Sequence, residues 1–156
     1  MKKALLLIIV LLIVGCNKKG DNTPFIKVYK SDYNISVTIK RFLKPLKEKN
    51  YHLKSVINFT KEAQKLDFYL RPTKTIEIDN PKISTKLIEC NPTMTIDLPI
   101  RIGVFRKIDG GVYLAFTSPE YWSIKHNIKD SECLNLKKLI TLDLDEAKEA
   151  IKSGSK

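Results

Sequence analysis

The sequence predicts an α+β domain, in which an antiparallel sheet of about five strands carries helices on one face. Two features of the chain predict this class. Short segments rich in β-branched and aromatic residues alternate with segments whose apolar residues recur at helical spacing. The turn sequence Asp109-Gly110-Gly111 separates two strand-like segments and therefore predicts an antiparallel hairpin.

The predicted domain begins with a strand at 25–30 and continues with a helix at 36–49. Ser36 is a residue type that caps helices, and the apolar residues after it form one stripe at helical spacing: Ile39, Phe42, Leu43 and Leu46. Pro45 lies inside that stripe. Because proline lacks the backbone N–H, we expect it to kink the helix or to split it near Lys44.

The middle of the chain is predicted to hold two strands and two short helical segments. The strands are placed at 51–59 and 73–78, with a helical turn at 61–66 between them. Asn80-Pro81 ends the third strand and starts a helix that extends to about Glu89, since the first helical turn accepts proline.

The last third is predicted to contain the hairpin and two helices. Strands at 98–107 and 112–117 flank the glycine turn, and Val112, Leu114 and Phe116 share one face. A short helix follows at 118–126, and a final helix is predicted from about Leu134 to Ile151.

The amino terminus has the features of an export signal. Lys2 and Lys3 precede an apolar run at 4–14, which is shorter than the roughly 20 residues needed to span a bilayer. The run ends in Ile13-Val14-Gly15-Cys16, which resembles a bacterial lipobox. That resemblance implies removal of residues 1–15 and a diacylglycerol and an N-acyl chain on Cys16.

We therefore divide the chain into four parts. The signal peptide occupies 1–15, the lipidated Cys16 and a polar tether occupy 16–24, a single domain spans 25–151, and 152–156 form a frayed tail. Several acyl chains anchor a protein firmly. We expect an exported bacterial lipoprotein of the cell membrane, or of the outer membrane facing the periplasm.

The charge of the chain does not indicate a nucleic-acid partner. The 156 residues carry 28 basic and 17 acidic side chains, a formal charge of +11. Lysine accounts for 24 of the 28 (28 − 4 Arg) and is scattered, whereas phosphate and base recognition favours arginine. Attraction to anionic lipid or to envelope polymers is the remaining consequence of this charge.

Two cysteines remain beyond the lipobox, Cys90 and Cys133. In an oxidising periplasm they either form a disulfide or stay as buried free thiols, and the second interpretation is the one favoured here. Neither lies in a CxxC pair, which argues against a thioredoxin-type redox site.

Three groups of short motifs lie in order between residues 55 and 126. They are Leu70-Arg71-Pro72-Thr73 with Asp79-Asn80-Pro81, then Glu89-Cys90-Asn91-Pro92-Thr93 with Asp97-Leu98-Pro99-Ile100-Arg101, and last Asp109-Gly110 with Phe116, Ser118-Pro119 and His126. Together they resemble the domain of unknown function 302 family. The resemblance implies a fold similar to the TATA-binding-protein-like β-α-β(4)-α arrangement, and a homodimer. The chain departs from the family at Asn58-Phe59, where Asp-His is common.

The candidate binding residues are Arg71, Asp97, Arg101 and His126. The two arginines either clamp an anion while Asp97 orients them, or form a buried or dimer-interface network with Asp97. We favour the network. His126 is a weak metal candidate with Cys90, Cys133 or Asp130, because no short zinc-type spacing is present.

No nucleophile elbow, phosphate loop or zinc-protease motif occurs in the sequence. We therefore expect a non-enzymatic, lipid-anchored envelope domain without metal or cofactor that binds a small ligand or an envelope protein. The first alternative is a metal, redox or catalytic protein that uses His126, Cys90 and Asp97. The second is a purely structural envelope lipoprotein.

Overall fold

The computed structural model describes residues 23–154. The predicted signal peptide, Cys16 and most of the tether lie outside the described residues. The elements in chain order are β1 (Ile26–Ser31), α1 (Ile35–Glu48), β2 (His52–Ile57), α2 (Phe59–Gln64), β3 (Thr73–Asp79), α3 (Pro81–Cys90), β4 (Ile100–Arg106), β5 (Val112–Thr117), α4 (Trp122–Lys125) and α5 (Ser131–Glu149). Two 3-10 helices, Pro92–Ile96 and Pro119–Tyr121, precede β4 and α4.

The five strands form one antiparallel sheet in the order β1-β5-β4-β3-β2. Helices cover one face of it, so the predicted α+β class is confirmed. The covered face supplies fully buried side chains from the central strands, such as Ile76, Ile102 and Leu114. Phe42 and Leu46 of α1 and Leu144 of α5 pack with these into one core.

Two helices start earlier than predicted, because an earlier residue serves as the N-cap. Asn34, not Ser36, caps α1, and its side chain accepts a hydrogen bond from the Val37 backbone N–H at 3.0 Å. Asp130 caps α5 in the same way through Cys133, so this helix starts three residues before the predicted Leu134. Pro45 stays inside a single helix, since only its own backbone bond is lost.

Two further segments also differ from the prediction. The residues after Asn91 form a 3-10 turn, and β4 starts at Ile100 after a cis Leu98–Pro99 bond. The tail predicted to be frayed is described as far as residue 154, and Ser153 in it is hydrogen-bonded to the domain. The Ser153 backbone N–H and hydroxyl donate to Asp32 at 2.7 and 2.9 Å.

Within residues 23–154, no helix has the length and apolar character needed to cross a bilayer.

Candidate functional site

The candidate site is built on the turn between α3 and β4. Asn91 starts this turn, because its side-chain oxygen accepts a hydrogen bond from the Thr93 backbone N–H at 2.9 Å. The Thr93 hydroxyl oxygen also lies 2.9 Å from this oxygen, and its single hydrogen can point either to Asn91 or to a second acceptor. Met94 is fully buried and fixes the turn to the core. The turn ends at Asp97, whose backbone N–H donates to the Met94 carbonyl at 3.0 Å.

His126, at the end of α4, connects both ends of this turn. Its Nε2 lies 2.6 Å from Asp97 Oδ2 and its Nδ1 lies 2.7 Å from Thr93 Oγ1, while the side chain is 2% exposed. An ionised Asp97 can only accept, so Nε2 carries a hydrogen. In the neutral imidazole, Nδ1 then accepts from the Thr93 hydroxyl. The three side chains therefore form a hydroxyl–imidazole–carboxylate series.

Lys125 completes the surroundings of Asp97. Its Nζ lies 2.9 Å from Asp97 Oδ1, so each carboxylate oxygen has a nitrogen partner. Burial by itself raises the pKa of Asp97, but hydrogen bonds from His126 and Lys125 outweigh it and hold the pKa below its usual value. Asp97 is therefore an anion at neutral pH.

Two further bonds hold the turn on the rest of the fold. Asn91 Nδ2 donates to the His126 carbonyl at 2.7 Å. Cys90 and Cys133 form a disulfide with their Cα atoms 6.2 Å apart, which joins the end of α3 to the start of α5. The two cysteines are thus paired, which corrects the favoured expectation of two buried free thiols.

A cavity of about 180 Å³ opens beside Asp97. Its lining consists of Ile96, Asp97, Ile100, Arg101, Thr117 and Trp122. Trp122 is 1% exposed, and its Nε1 is the buried side-chain polar atom that lacks a hydrogen-bond partner among the described residues. A buried donor left unpaired costs about 1–3 kcal/mol, so this N–H calls for an acceptor.

The predicted candidates separate into two groups. Asp97 and Arg101 line the same cavity, and His126 contacts Asp97, so three of the four lie together. Arg71 lies at the other end of the sheet, in a second cavity with Phe105.

Within residues 23–154, neither Arg71 nor Arg101 pairs with Asp97, so the favoured network is not formed inside one chain, and its dimer-interface form stays a prediction. Arg101 Nε instead donates to Glu77 at 3.0 Å, with the Arg101 side chain 72% exposed. The exposed position leaves Arg101 accessible to a molecule that enters the cavity, which fits the anion-binding interpretation of this residue better than a buried network.

The residues proposed for metal or redox chemistry do not converge as a set. His126 meets Asp97, but the Cys90 sulfur is bonded to Cys133. Among residues 23–154 there is no group of three or more His, Cys, Asp or Glu side chains that could hold a metal ion.

Sequence reasoning missed several residues of the site. None of Trp122, Thr93, Lys125 and Glu77 was among the predicted candidates. One signal for Trp122 was available: it lies four residues before His126, which puts both on adjacent turns of one helix.

Comparisons with known proteins agree with this architecture. The profile of the family described as "Domain of unknown function DUF302" matches residues 27–152. The crystal structure of an uncharacterised conserved DUF302 protein from Bacillus stearothermophilus superposes with a TM-score of 0.72, at 17% identity, covering 81% of this chain and 98% of that one. At this identity the likeness shows the fold.

The curated relatives are longer proteins. The fluoride-specific ion channel FluC 1 of Brucella suis is 25% identical over 112 residues, which cover 72% of this chain and 44% of the relative. FluC 2 of Brucella melitensis matches at the same identity over 42% of its length. The chain thus spans less than half of the curated relatives it matches. The family match covers most of its length, and the chain belongs to the DUF302 family.

Proposed function

We propose that this domain binds a small polar ligand in the cavity beside Asp97. The observation that carries the proposal is a cavity lined by a carboxylate, a guanidinium and Trp122, whose buried indole N–H has no acceptor among residues 23–154. Few convergent polar groups on a partly apolar wall are typical of a ligand site.

The lining specifies the chemistry of the ligand. Arg101 offers hydrogen-bond donors, whereas the ionised Asp97 offers only acceptors. A complementary molecule carries a carboxylate or carbonyl oxygen next to an ammonium, amide or hydroxyl donor. At about 30 Å³ per water, 180 Å³ corresponds to roughly six waters, which suits a ligand of the size of a small amino acid or hydroxy acid.

The single tryptophan makes the test direct. Trp122 gives one indole N–H resonance in a ¹⁵N-labelled sample of the full chain. Titration with glycine, lactate and acetamide is expected to shift this resonance in a saturable way for at least one probe, because a ligand in the cavity changes the surroundings of the indole. A resonance that none of the three moves, at concentrations up to about 50 mM where Kd values in the millimolar range are detected, contradicts the proposal.

Two arginines at opposite ends of β4 provide the matched variants. Arg101 lines the cavity and Arg106 does not. We expect Arg101→Gln to weaken binding at least tenfold and Arg106→Gln to leave it within twofold. Equal effects of the two substitutions would assign the shift to overall charge instead of the site.

We also propose that the chain is attached to a membrane through lipid on Cys16. The support is the basic residues, short apolar run and lipobox-like Ile13-Val14-Gly15-Cys16. Mass spectrometry of protein expressed in its native host should show loss of residues 1–15 and the added mass of acyl chains. Cys16→Ala should abolish both changes, and an unmodified Cys16 in the native protein would refute the attachment.

A further inference from the structure

A second surface lies at the end of the sheet opposite the candidate site. Four bulky apolar side chains within five positions are exposed there, at 65% for Leu66, 69% for Phe68, 85% for Tyr69 and 40% for Leu70. Exposed apolar side chains clustered on one surface mark an interaction site, whereas single exposed apolar residues are common on any protein.

Ile108 joins this cluster from another part of the chain. It lies in the β4–β5 turn and is 86% exposed. The two segments are adjacent, because the Arg106 backbone N–H donates to the Pro72 carbonyl at 2.9 Å, and Tyr69, Leu70 and Ile108 line one cavity of about 470 Å³. We call Leu66, Phe68, Tyr69, Leu70 and Ile108 the apolar tip.

Basic side chains outnumber acidic ones in the segments that carry the apolar tip, and Arg71, Arg106 and Lys107 line its cavity. Residues 61–74 and 105–110 contain six basic side chains, Lys61, Lys65, Arg71, Lys74, Arg106 and Lys107, against three acidic ones, Glu62, Asp67 and Asp109, a net charge of 6 − 3 = +3. Two of the three acids have partners already. Glu62 pairs with Lys65 at 3.0 Å, and Asp109 accepts from the Tyr113 hydroxyl at 2.8 Å.

We propose that the apolar tip docks on an anionic lipid bilayer. Leucine, phenylalanine and isoleucine enter the region between headgroups and acyl chains, tyrosine remains at the headgroup level, and the neighbouring basic side chains meet lipid phosphates. The combination of apolar tip and basic side chains selects this partner, because a second copy of the same surface would bring two positively charged surfaces together.

The apolar tip and the amino-terminal end of the domain lie at opposite ends of the sheet, so an experiment can determine which end contacts the membrane. Ile26 starts β1 opposite Thr117, the last residue of β5, whereas Ile108 precedes the first residue of β5. Ile124 is 77% exposed and lies two residues after Trp122, at the Ile26 end of the sheet. An anchor acting alone favours the Ile26 end at the membrane, and tip docking favours the other end.

The experiment compares Phe68→Trp with Ile124→Trp in the full chain. Each variant is mixed with vesicles of equimolar phosphatidylglycerol and phosphatidylcholine with brominated acyl chains, and quenching by the unsubstituted chain is subtracted. We expect at least threefold stronger quenching of the tryptophan at position 68. Equal quenching, stronger quenching at position 124, or no quenching at either position overturns the proposal.

Charge variants then distinguish docking on anionic lipid from self-association of the tip. Arg71→Gln combined with Arg106→Gln is expected to lower quenching at position 68 at least fivefold. Lys82→Gln combined with Lys129→Gln, which removes the same charge from exposed positions at the other end of the sheet, is expected to leave it unchanged. Vesicles of phosphatidylcholine alone should bind at least fivefold more weakly. If the emission at position 68 shifts with protein concentration in the absence of vesicles, the tip binds a second copy and the proposal is wrong.

Discussion

A buried aspartate and a half-buried one form similar clusters in this molecule but have different surroundings. Asp143 of α5 is 4% exposed and accepts from Lys49 Nζ at 2.7 Å and from the Tyr51 hydroxyl at 3.0 Å. Asp97 is 14% exposed and meets Lys125 at 2.9 Å and His126 at 2.6 Å. Each carboxylate thus has one lysine and one ring as partners.

The two clusters differ in whether a buried hydrogen-bond donor nearby remains without an acceptor once these bonds are made. Around Asp143 the donors are used within the cluster, and the buried Tyr51 hydroxyl has a partner. Burial, then the neighbouring Asp143 charge, raises the pKa of Tyr51 above its usual value, so the phenol stays protonated and keeps donating. The Asp97 cluster borders a cavity that Trp122 also lines. The Trp122 Nε1 hydrogen has no acceptor in the described part of the chain. We call the Asp143 cluster the closed cluster, and it stabilises the fold. We call the Asp97 cluster the open cluster, because it borders a cavity that can accept a ligand.

The largest effect is expected from the disulfide, which links the helix that carries Asp143 to the turn that carries Asp97. Cys133→Ala opens a loop of 43 residues, and chain entropy predicts a loss of about 4 kcal/mol in the free energy of unfolding. Urea unfolding measures it. Cys90→Ala should give the same loss, and the double variant should lose no more. A loss below about 1 kcal/mol in either single variant would contradict the pairing.

The next largest effect is expected at the closed cluster. Asp143→Ala leaves the buried Tyr51 hydroxyl and Lys49 without the carboxylate, and we expect a loss of about 3 kcal/mol. Glu146 also pairs with Lys49 but is 59% exposed, so Glu146→Ala should cost less than about 1 kcal/mol. If the two substitutions cost the same, the Asp143 cluster does not stabilise the fold in the way proposed.

The open cluster is expected to show a smaller, pH-dependent effect. Asp97→Asn should lower stability by about 1–2 kcal/mol near neutral pH, because a charged acceptor is lost. The pKa of Asp97 is lowered in the folded state, so its contribution is complete above the unfolded value of about 3.9 and disappears as the pH falls through the folded value.

Stability measured at about pH 6 and about pH 2 checks this prediction. The native chain should lose more stability on acidification than Asp97→Asn, and His126→Gln, which removes one donor, should lie between them. An identical acid loss in the native chain and in Asp97→Asn would show that the hydrogen bonds to Asp97 do not stabilise its charged form.

The smallest effect on stability is expected at Arg101, which we expect to contribute to ligand binding but little to the free energy of unfolding. Its pair with Glu77 is exposed, so Arg101→Gln should change the free energy of unfolding by less than about 1 kcal/mol. The same variant should weaken ligand binding at the cavity. A loss of several kcal/mol would instead place Arg101 among the residues that hold the fold.

Much of the fold was predictable from local patterns. The hairpin at Asp109-Gly110-Gly111 and the strands around it follow from alternation and turn chemistry, which act over a few residues. Helix starts were less accurate, because Asn34 and Ser36 are both good cap residues. The start of the last helix was predicted too late, because the residues after its cap Asp130 are the polar Ser131 and Glu132, which do not belong to the apolar stripe.

The candidate site was predictable only in part. Asp97, Arg101 and His126 were singled out from their motifs, but no local pattern indicates that Arg101 pairs with Glu77 on the neighbouring strand. That pairing depends on the register of β3 against β4, which places residue 77 opposite residue 101.

The sequence by itself determined the α+β class, the order of the strands along the chain and the family, because hydrophobic periodicity, turn residues and ordered motifs are properties of neighbouring residues. Only the tertiary structure decided that Cys90 meets Cys133, that His126 connects Thr93 to Asp97, and that Trp122 lacks an acceptor among the described residues beside a cavity. Those facts depend on contacts between segments about 30 or more residues apart, whose distances are set by packing and not by local propensity.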